Sequence, residues 1–121
     1  MPQGSRPARV GDQIRDELGE LLRREVKDPG IGFVTVTGVQ VTGDLQIARV
    51  YYTTLGGPEE RERTRRALER ARPFLRRLLA ERIRLRRAPE LEFRFDESIE
   101  RADRIERLIQ EIHRDDTPDD A

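Results

Sequence analysis

The chain carries 24 basic and 24 acidic residues among its 121, one histidine and no cysteine, so its formal charge is zero. The lack of cysteine excludes a disulfide framework, a thiolate nucleophile and a thiolate metal site. At 35% hydrophobic and 40% charged, it is one domain by length, with a small core and no apolar run approaching a membrane span.

The N-terminus, MPQGSRPARV, has no apolar centre of the kind a secretion signal needs. A cytoplasmic location is therefore expected, and residues 1–8 read as a flexible polar arm. From Arg9 to Val26 the residues Val10, Ile14, Leu18, Leu21, Leu22 and Val26 recur at helical spacing, which predicts an amphipathic first helix. Asp28-Pro29-Gly30 supplies the breakers that end it. β-Branched residues dominate from Phe33 to Val41, and Leu45 to Thr53 makes a second strand-like run after Thr42-Gly43-Asp44. That pattern predicts an antiparallel hairpin. Gly56-Gly57-Pro58-Glu59-Glu60 then combines a loop with a helix start, its proline and acids falling where a first turn favours them.

The next stretch, Arg61 to Arg87, holds twelve arginines against three acids (Glu62, Glu69 and Glu81), a local charge of +9 in a neutral chain. The field must be strongly polarised. Within it Thr64, Ala67, Leu68, Ala71, Phe74, Leu75, Leu78 and Leu79 lie at helical spacing, giving one core face and one guanidinium face. Pro73 sits inside the pattern with no N–H to offer the Glu69 carbonyl. The apolar spacing crosses it without a slip, which leaves two readings. Two helices meet at a kink formed by Ala71, Arg72 and Pro73, or a single surface helix bends there.

Arg84 to Arg87 should leave the helix, because Ala88-Pro89 disfavours helical geometry. Leu91-Glu92-Phe93-Arg94-Phe95 alternates as a third strand, with Leu91, Phe93 and Phe95 toward the core. Ser98 is the expected N-cap of a last helix bearing Ile99, Ala102, Ile105, Leu108, Ile109 and Ile112 on one face. Residues 114–121 read as a disordered acidic tail. The predicted fold is α+β, a three-stranded sheet with helices on one face, in the order helix, strand, strand, helix, kinked helix, strand, C-terminal helix.

Nothing in this pattern predicts catalysis. His113 stands beside the tail, no cluster has metal-ligand spacing, and no phosphate loop or dinucleotide fingerprint occurs. No metal, cofactor, small-molecule substrate or membrane partner is expected, and the chain should be a monomer. Clustered arginine suits phosphate. Arg66, Arg70 and Arg77 fall along one flank of the basic stretch, Arg65, Arg72 and Arg76 along the other, and Arg82, Arg84, Arg86 and Arg87 extend the strip. These ten are the candidate RNA-binding residues. Aromatic residues are few, and the core claims Phe74, Phe93 and Phe95, so contacts to backbone and RNA shape should outweigh base stacking. Two other readings stand beside this one: a solvated basic face balancing the acidic last helix, and a protein–protein adaptor that uses that helix.

The predicted order of elements is that of a type II KH domain, an RNA-binding fold that normally carries a Gly-x-x-Gly loop between its middle helices. This sequence has no Gly-x-x-Gly, and Ala71-Arg72-Pro73 occupies that place. With the segments VKDPGIGFVTVTGVQVTGDLQIARVYYT and RIRLRRAPELEFRFDESIERADRIERLI, the chain resembles the ribosome-binding factor A family over residues 6–113. The KH-like domain is accordingly placed at residues 9–113. The family's kink usually reads Ala-x-Gly, so here proline bends by exclusion where glycine bends by flexibility. The resemblance implies a bacterial assembly factor, not an enzyme. It would bind the free or immature small ribosomal subunit near its neck and aid late maturation of the ribosomal RNA, including its 5′ end. It would leave before translation, and it would matter most in the cold.

Overall fold

In the computed structural model, residues 5–24 and 31–116 are described. The elements are α1 (Arg6–Arg24), β1 (Val34–Val41), β2 (Ile47–Thr54), α2 (Pro58–Ile83), β3 (Glu90–Phe95) and α3 (Ser98–Asp116). β1 and β2 form the expected antiparallel hairpin, with Val39 opposite Val50. β3 pairs in parallel with β2, Phe93 opposite Val50, so β2 is central in the order β1-β2-β3. A parallel partner cannot be reached by a tight turn, and α2 is the crossover that reaches it.

The central position of β2 explains its burial. Ala48, Val50 and Tyr52 are buried beneath the helices, while Arg49, Tyr51 and Thr53 alternate onto the other face and stay partly covered. α1 contributes Ile14, Leu18 and Leu21, and α2 contributes Ala67, Leu68, Leu75 and Leu79. β3 adds Leu91 fully, with Phe93 and Phe95 half-buried and edge-on to the Tyr52 ring. α1 comes so close to β1 that a Cβ on Gly11 would lie 2.8 Å from the Val39 carbonyl oxygen.

A bulge interrupts the hairpin between Val36 and Gly38. Its extra residue, Thr37, donates its hydroxyl to Asp96 at 2.6 Å. The same carboxylate accepts from the Ser98 N–H at 2.9 Å. Asp96 therefore caps α3, two residues ahead of the expected Ser98. Hydrogen bonds from Ser98 and Thr37 hold the Asp96 carboxyl below the usual carboxylate range.

Other expectations are revised. α1 starts at Arg6, because Ser5 accepts from the Ala8 N–H at 3.2 Å through its hydroxyl and from the Arg9 N–H at 3.1 Å through its carbonyl. Residues 6–8 thus belong to the helix and not to an arm. Residues 1–4, the expected continuation to Val26 and the Asp28-Pro29-Gly30 breakers lie outside the described residues. The arginine-rich stretch is one helix, α2, with Pro73 inside it. Leu75 and Leu79 keep facing the core beyond the proline, as Ala67 and Leu68 do before it, so packing holds the helix together where one backbone bond is missing.

α3 departs furthest. It runs to Asp116, through the first part of the expected tail, and residues 117–121 lie outside the described residues. Its stripe of apolar residues has the spacing of a core face. Yet Ile105, Leu108, Ile109 and Ile112 are 48% to 58% exposed. The physical reason is that α1 and α2 already fill the helical layer over a narrow, three-stranded sheet.

Candidate nucleic-acid interface

α2 presents the basic face because its opposite side is committed to the core. Pro58 opens the helix, and the Glu60 carboxylate reaches back to accept from the Gly57 N–H at 3.0 Å. Buried Thr64 donates its hydroxyl to the Ile31 carbonyl at 3.0 Å, which fixes the rotation of the first turns. Rotation about the helix axis then decides which arginines face outward.

The first half of that outward face is largely neutralised by its own acids. Arg65 donates to Glu62 from Nε at 3.0 Å and from Nη2 at 2.6 Å. Arg66 Nε lies 3.3 Å from the same carboxylate. The Arg65 hydrogen bonds, with Arg66 behind them, pull the Glu62 carboxyl down to about 2. Arg72 Nε stands 3.2 Å from Glu69 but out of hydrogen-bonding alignment, and it is buried without another partner. Arg70 is also engaged within the protein. Arg82 reaches Glu17 at 3.3 Å and ties α2 to α1. Arg61, outside the predicted set, lies 2.6 Å from Glu100 and stacks 3.7 Å over the Phe95 ring, which pins the start of α3.

Arg76 is a structural strut, contrary to its expected outward role. Its Nε and Nη2 both donate to the Ala88 carbonyl, at 3.1 and 3.0 Å, and Nη1 donates to Glu90 at 2.7 Å. The guanidinium so binds the end of α2 to the entry of β3.

The cations left over are concentrated elsewhere. Among the described residues, Arg77, Arg84, Arg86 and Arg87 are exposed and have no carboxylate partner. Arg77 has only the Phe74 ring, 5.9 Å away. Arg84 ends α2 in the left-handed region, at φ 58° and ψ 39°, a position that glycine occupies at lower cost. The remaining two follow in the loop that Arg76 anchors. Within the arginine-rich stretch, most of the guanidinium groups without carboxylate partners thus lie in the last turns of α2 and the segment 84–87.

The exposed arginines outside the predicted set that lack a carboxylate partner among the described residues include Arg63 on α2 and Arg6 at the start of α1. Arg6 has a sequence signal: α1 has no acid in its first turn and begins with Arg6, against the preference set by the helix dipole. Among the described residues no group of acids, histidines and cysteines could hold a metal ion, and no helix is long and apolar enough to cross a membrane.

Comparison with known proteins supplies the family. A model of the family described as ribosome-binding factor A matches residues 6–109. The crystal structure of ribosome-binding factor A from Thermus thermophilus is similar at 32% identity and a TM-score of 0.65, over 74% of this chain and 93% of that one. A Thermotoga maritima protein described as a ribosome binding factor A, determined in solution, is 36% identical with a TM-score of 0.65, over 78% and 89%. A Thermus thermophilus homology model fitted into a cryo-EM map of a 30S complex with that factor is 32% identical, with a TM-score of 0.63, over 75% and 96%.

Proposed function

Because the chain belongs to the ribosome-binding factor A family, we propose that it binds the small ribosomal subunit through ribosomal RNA, using the unpaired arginines at the end of α2. One observation carries this reading. Arg77, Arg84, Arg86 and Arg87 are exposed and lack carboxylate partners among the described residues, in a chain whose other clustered arginines are mostly neutralised from within. Unpaired guanidinium groups are positioned for phosphate oxygens and give little reading of base identity. The relative fitted into the 30S complex supports the choice of partner. The finer role is late maturation of that RNA in the cytoplasm, including its 5′ end, by binding and release without a catalytic step.

Co-sedimentation with purified small subunits over a range of salt tests the contact. Replacing Arg86 and Arg87 together by alanine should weaken binding and flatten its salt dependence, by roughly one unit of slope per lost phosphate contact. Replacing Arg65 and Arg66 should do much less. Equal losses from the two pairs would mean a diffuse positive face and no defined site.

A second reading rests on α3. Its half-exposed Ile105, Leu108, Ile109 and Ile112 suit a protein contact of the helix-in-groove kind. In that case alanine at these positions would weaken subunit binding without altering its salt slope.

A further inference from the structure

Arg6 is separated from the 84–87 segment by most of the sequence, yet the fold brings them to one place. With Arg76, Arg86, Arg87, Gln46 and Glu90 it lines a pocket of about 570 Å³ where the start of α1, the β1–β2 turn and the entry of β3 converge. The acids there are already used. Glu90 accepts from Arg76 at 2.7 Å. Asp44, on the turn side, accepts from the Thr42 hydroxyl at 2.7 Å and the Gln46 N–H at 3.1 Å. The Thr42 hydroxyl, with the Gln46 N–H, keeps the Asp44 carboxyl below its ordinary range. Arg6, Arg86 and Arg87 are exposed and unpaired among the described residues.

Folding gains nothing from gathering three guanidinium groups around one hollow. Like charges repel, and Arg6 also stands at the helix end that disfavours cations. The wall that carries two of them is rigid. Arg76 holds the Ala88 carbonyl with two donors, and Ala88 and Pro89 behind the segment are buried. A concave site with a fixed rim, lined by arginines whose donors are unspent, suits a compact, doubly accepting anion.

We propose that Arg6, Arg86 and Arg87 form a seat for one backbone phosphodiester of the bound RNA, with Arg76 as the positioning residue that holds its rim. This deepens the ribosomal reading above and rests on it. The seat adds α1 to the RNA-binding surface and fixes the docking angle, since the phosphate is gripped from two separate elements. One helix face alone would leave the domain free to roll on the RNA.

Titrations of small subunits with the intact chain, Arg6→Ala, Arg87→Ala and the double variant, at two salt concentrations, test the seat. Each single change should cost about tenfold in affinity, the worth of one charge-assisted contact, and lower the salt slope by a fraction of the roughly 0.7 to 0.9 that loss of a whole phosphate contact gives. The double variant should lose less than the product of the singles, because both residues hold the same phosphate. Unchanged affinity and slope for Arg6→Ala, beside a clear loss for Arg87→Ala, would overturn the seat and leave the ribosomal reading intact. Losses that multiply would assign the two arginines to different phosphates and overturn it as well. A parallel titration with inorganic phosphate separates the sources. Saturable binding of that ion, lost in Arg6→Ala while subunit affinity stays unchanged, would make this a free-phosphate site. An intact chain that does not bind small subunits at all would refute the ribosomal reading itself.

Discussion

Arg76 grips the carbonyl of Ala88 with two donors, Nε at 3.1 Å and Nη2 at 3.0 Å. A third nitrogen of the same guanidinium reaches Glu90 at 2.7 Å. One side chain on α2 thereby fixes the last loop before β3, and Ala88 and Leu91 are buried on either side of that entry. Loss of this clamp should be felt as stability before it is felt as binding.

Arg76→Ala is expected to lower stability by about 1–3 kcal/mol, the cost of leaving a part-buried carbonyl without its charged donor. Arg86→Ala and Arg87→Ala, exposed and unpaired, should stay within about 0.5 kcal/mol of the parent. Denaturant midpoints measure both. An Arg76→Ala midpoint equal to the parent's would show the clamp to be dispensable.

Arg84 offers the reverse experiment. Its left-handed backbone at φ 58° costs an L side chain about 1 kcal/mol that glycine avoids. Arg84→Gly should therefore be slightly more stable than the parent and bind small subunits less well. A variant both more stable and fully binding would remove Arg84 from the interface.

Much of the fold was legible because period and punctuation agree. The apolar spacing of Ile14, Leu18 and Leu21, the two strand-like runs around Thr42-Gly43-Asp44 and the alternation of Leu91-Glu92-Phe93 each have one dominant solution. The three-dimensional environment decided the rest. Helical spacing in α3 reveals a stripe but not whether any surface remains to cover it. A proline in α2 marks a missing donor, yet Leu75 and Leu79 hold the helix across it. Arginine clustering was plain in the sequence, whereas the division between spent and unspent guanidinium groups was not. That division depends on Glu62 at i−3 and i−4, which is local, but also on Glu17, Ala88 and Glu90, which are brought near only by folding.

The third strand gives an ordered pair of stabilities. Leu91 is fully buried, and Phe93 is half-buried against Tyr52 at a ring separation of 6.4 Å. Leu91→Ala should cost about 2–5 kcal/mol. Phe93→Ala should cost less, although a larger side chain is removed, because its pocket is open on one side. A larger loss at Phe93 would mean that α3 covers the ring in solution.

Acid should loosen the first half of α2. Hydrogen bonds from Arg65, then the Arg66 charge, hold Glu62 at about 2, against a model-peptide value of 4.5. A depressed carboxylate contributes stability that is fully present above its unfolded pKa and is lost as pH falls through the folded one. The loss at this site therefore spans about pH 4.5 to 2. Glu62→Gln should remove that part of the acid dependence and free Arg65 and Arg66 at neutral pH. Because Glu62 is exposed, the effect is small and fades in high salt. Urea midpoints of parent and variant at pH 7 and pH 3 should converge on acidification. A gap that is the same at both pH values would show that the Glu62 charge is not the source.

Pro73 separates the neutralised half of α2 from the half that leads to the unpaired arginines, and it is exposed. Pro73→Ala restores a donor to the Glu69 carbonyl within an otherwise unbroken apolar pattern. Inside a helix, proline costs about 3 kcal/mol relative to alanine. The domain should gain less than that, because Leu75 and Leu79 are already packed to suit the helix as it now runs. Any change in the course of α2 at this point would shift Arg77, Arg84, Arg86 and Arg87 relative to Arg6, which stands on a different helix and does not move with them. Binding should therefore weaken by about 1–2 kcal/mol, the scale of one lost charge-assisted contact, while the fold becomes more stable. Titration of parent and variant against the same small subunits at one salt concentration, beside their thermal midpoints, decides between the outcomes. Equal affinity with raised stability would mean that the two arginine-bearing elements need no fixed angle.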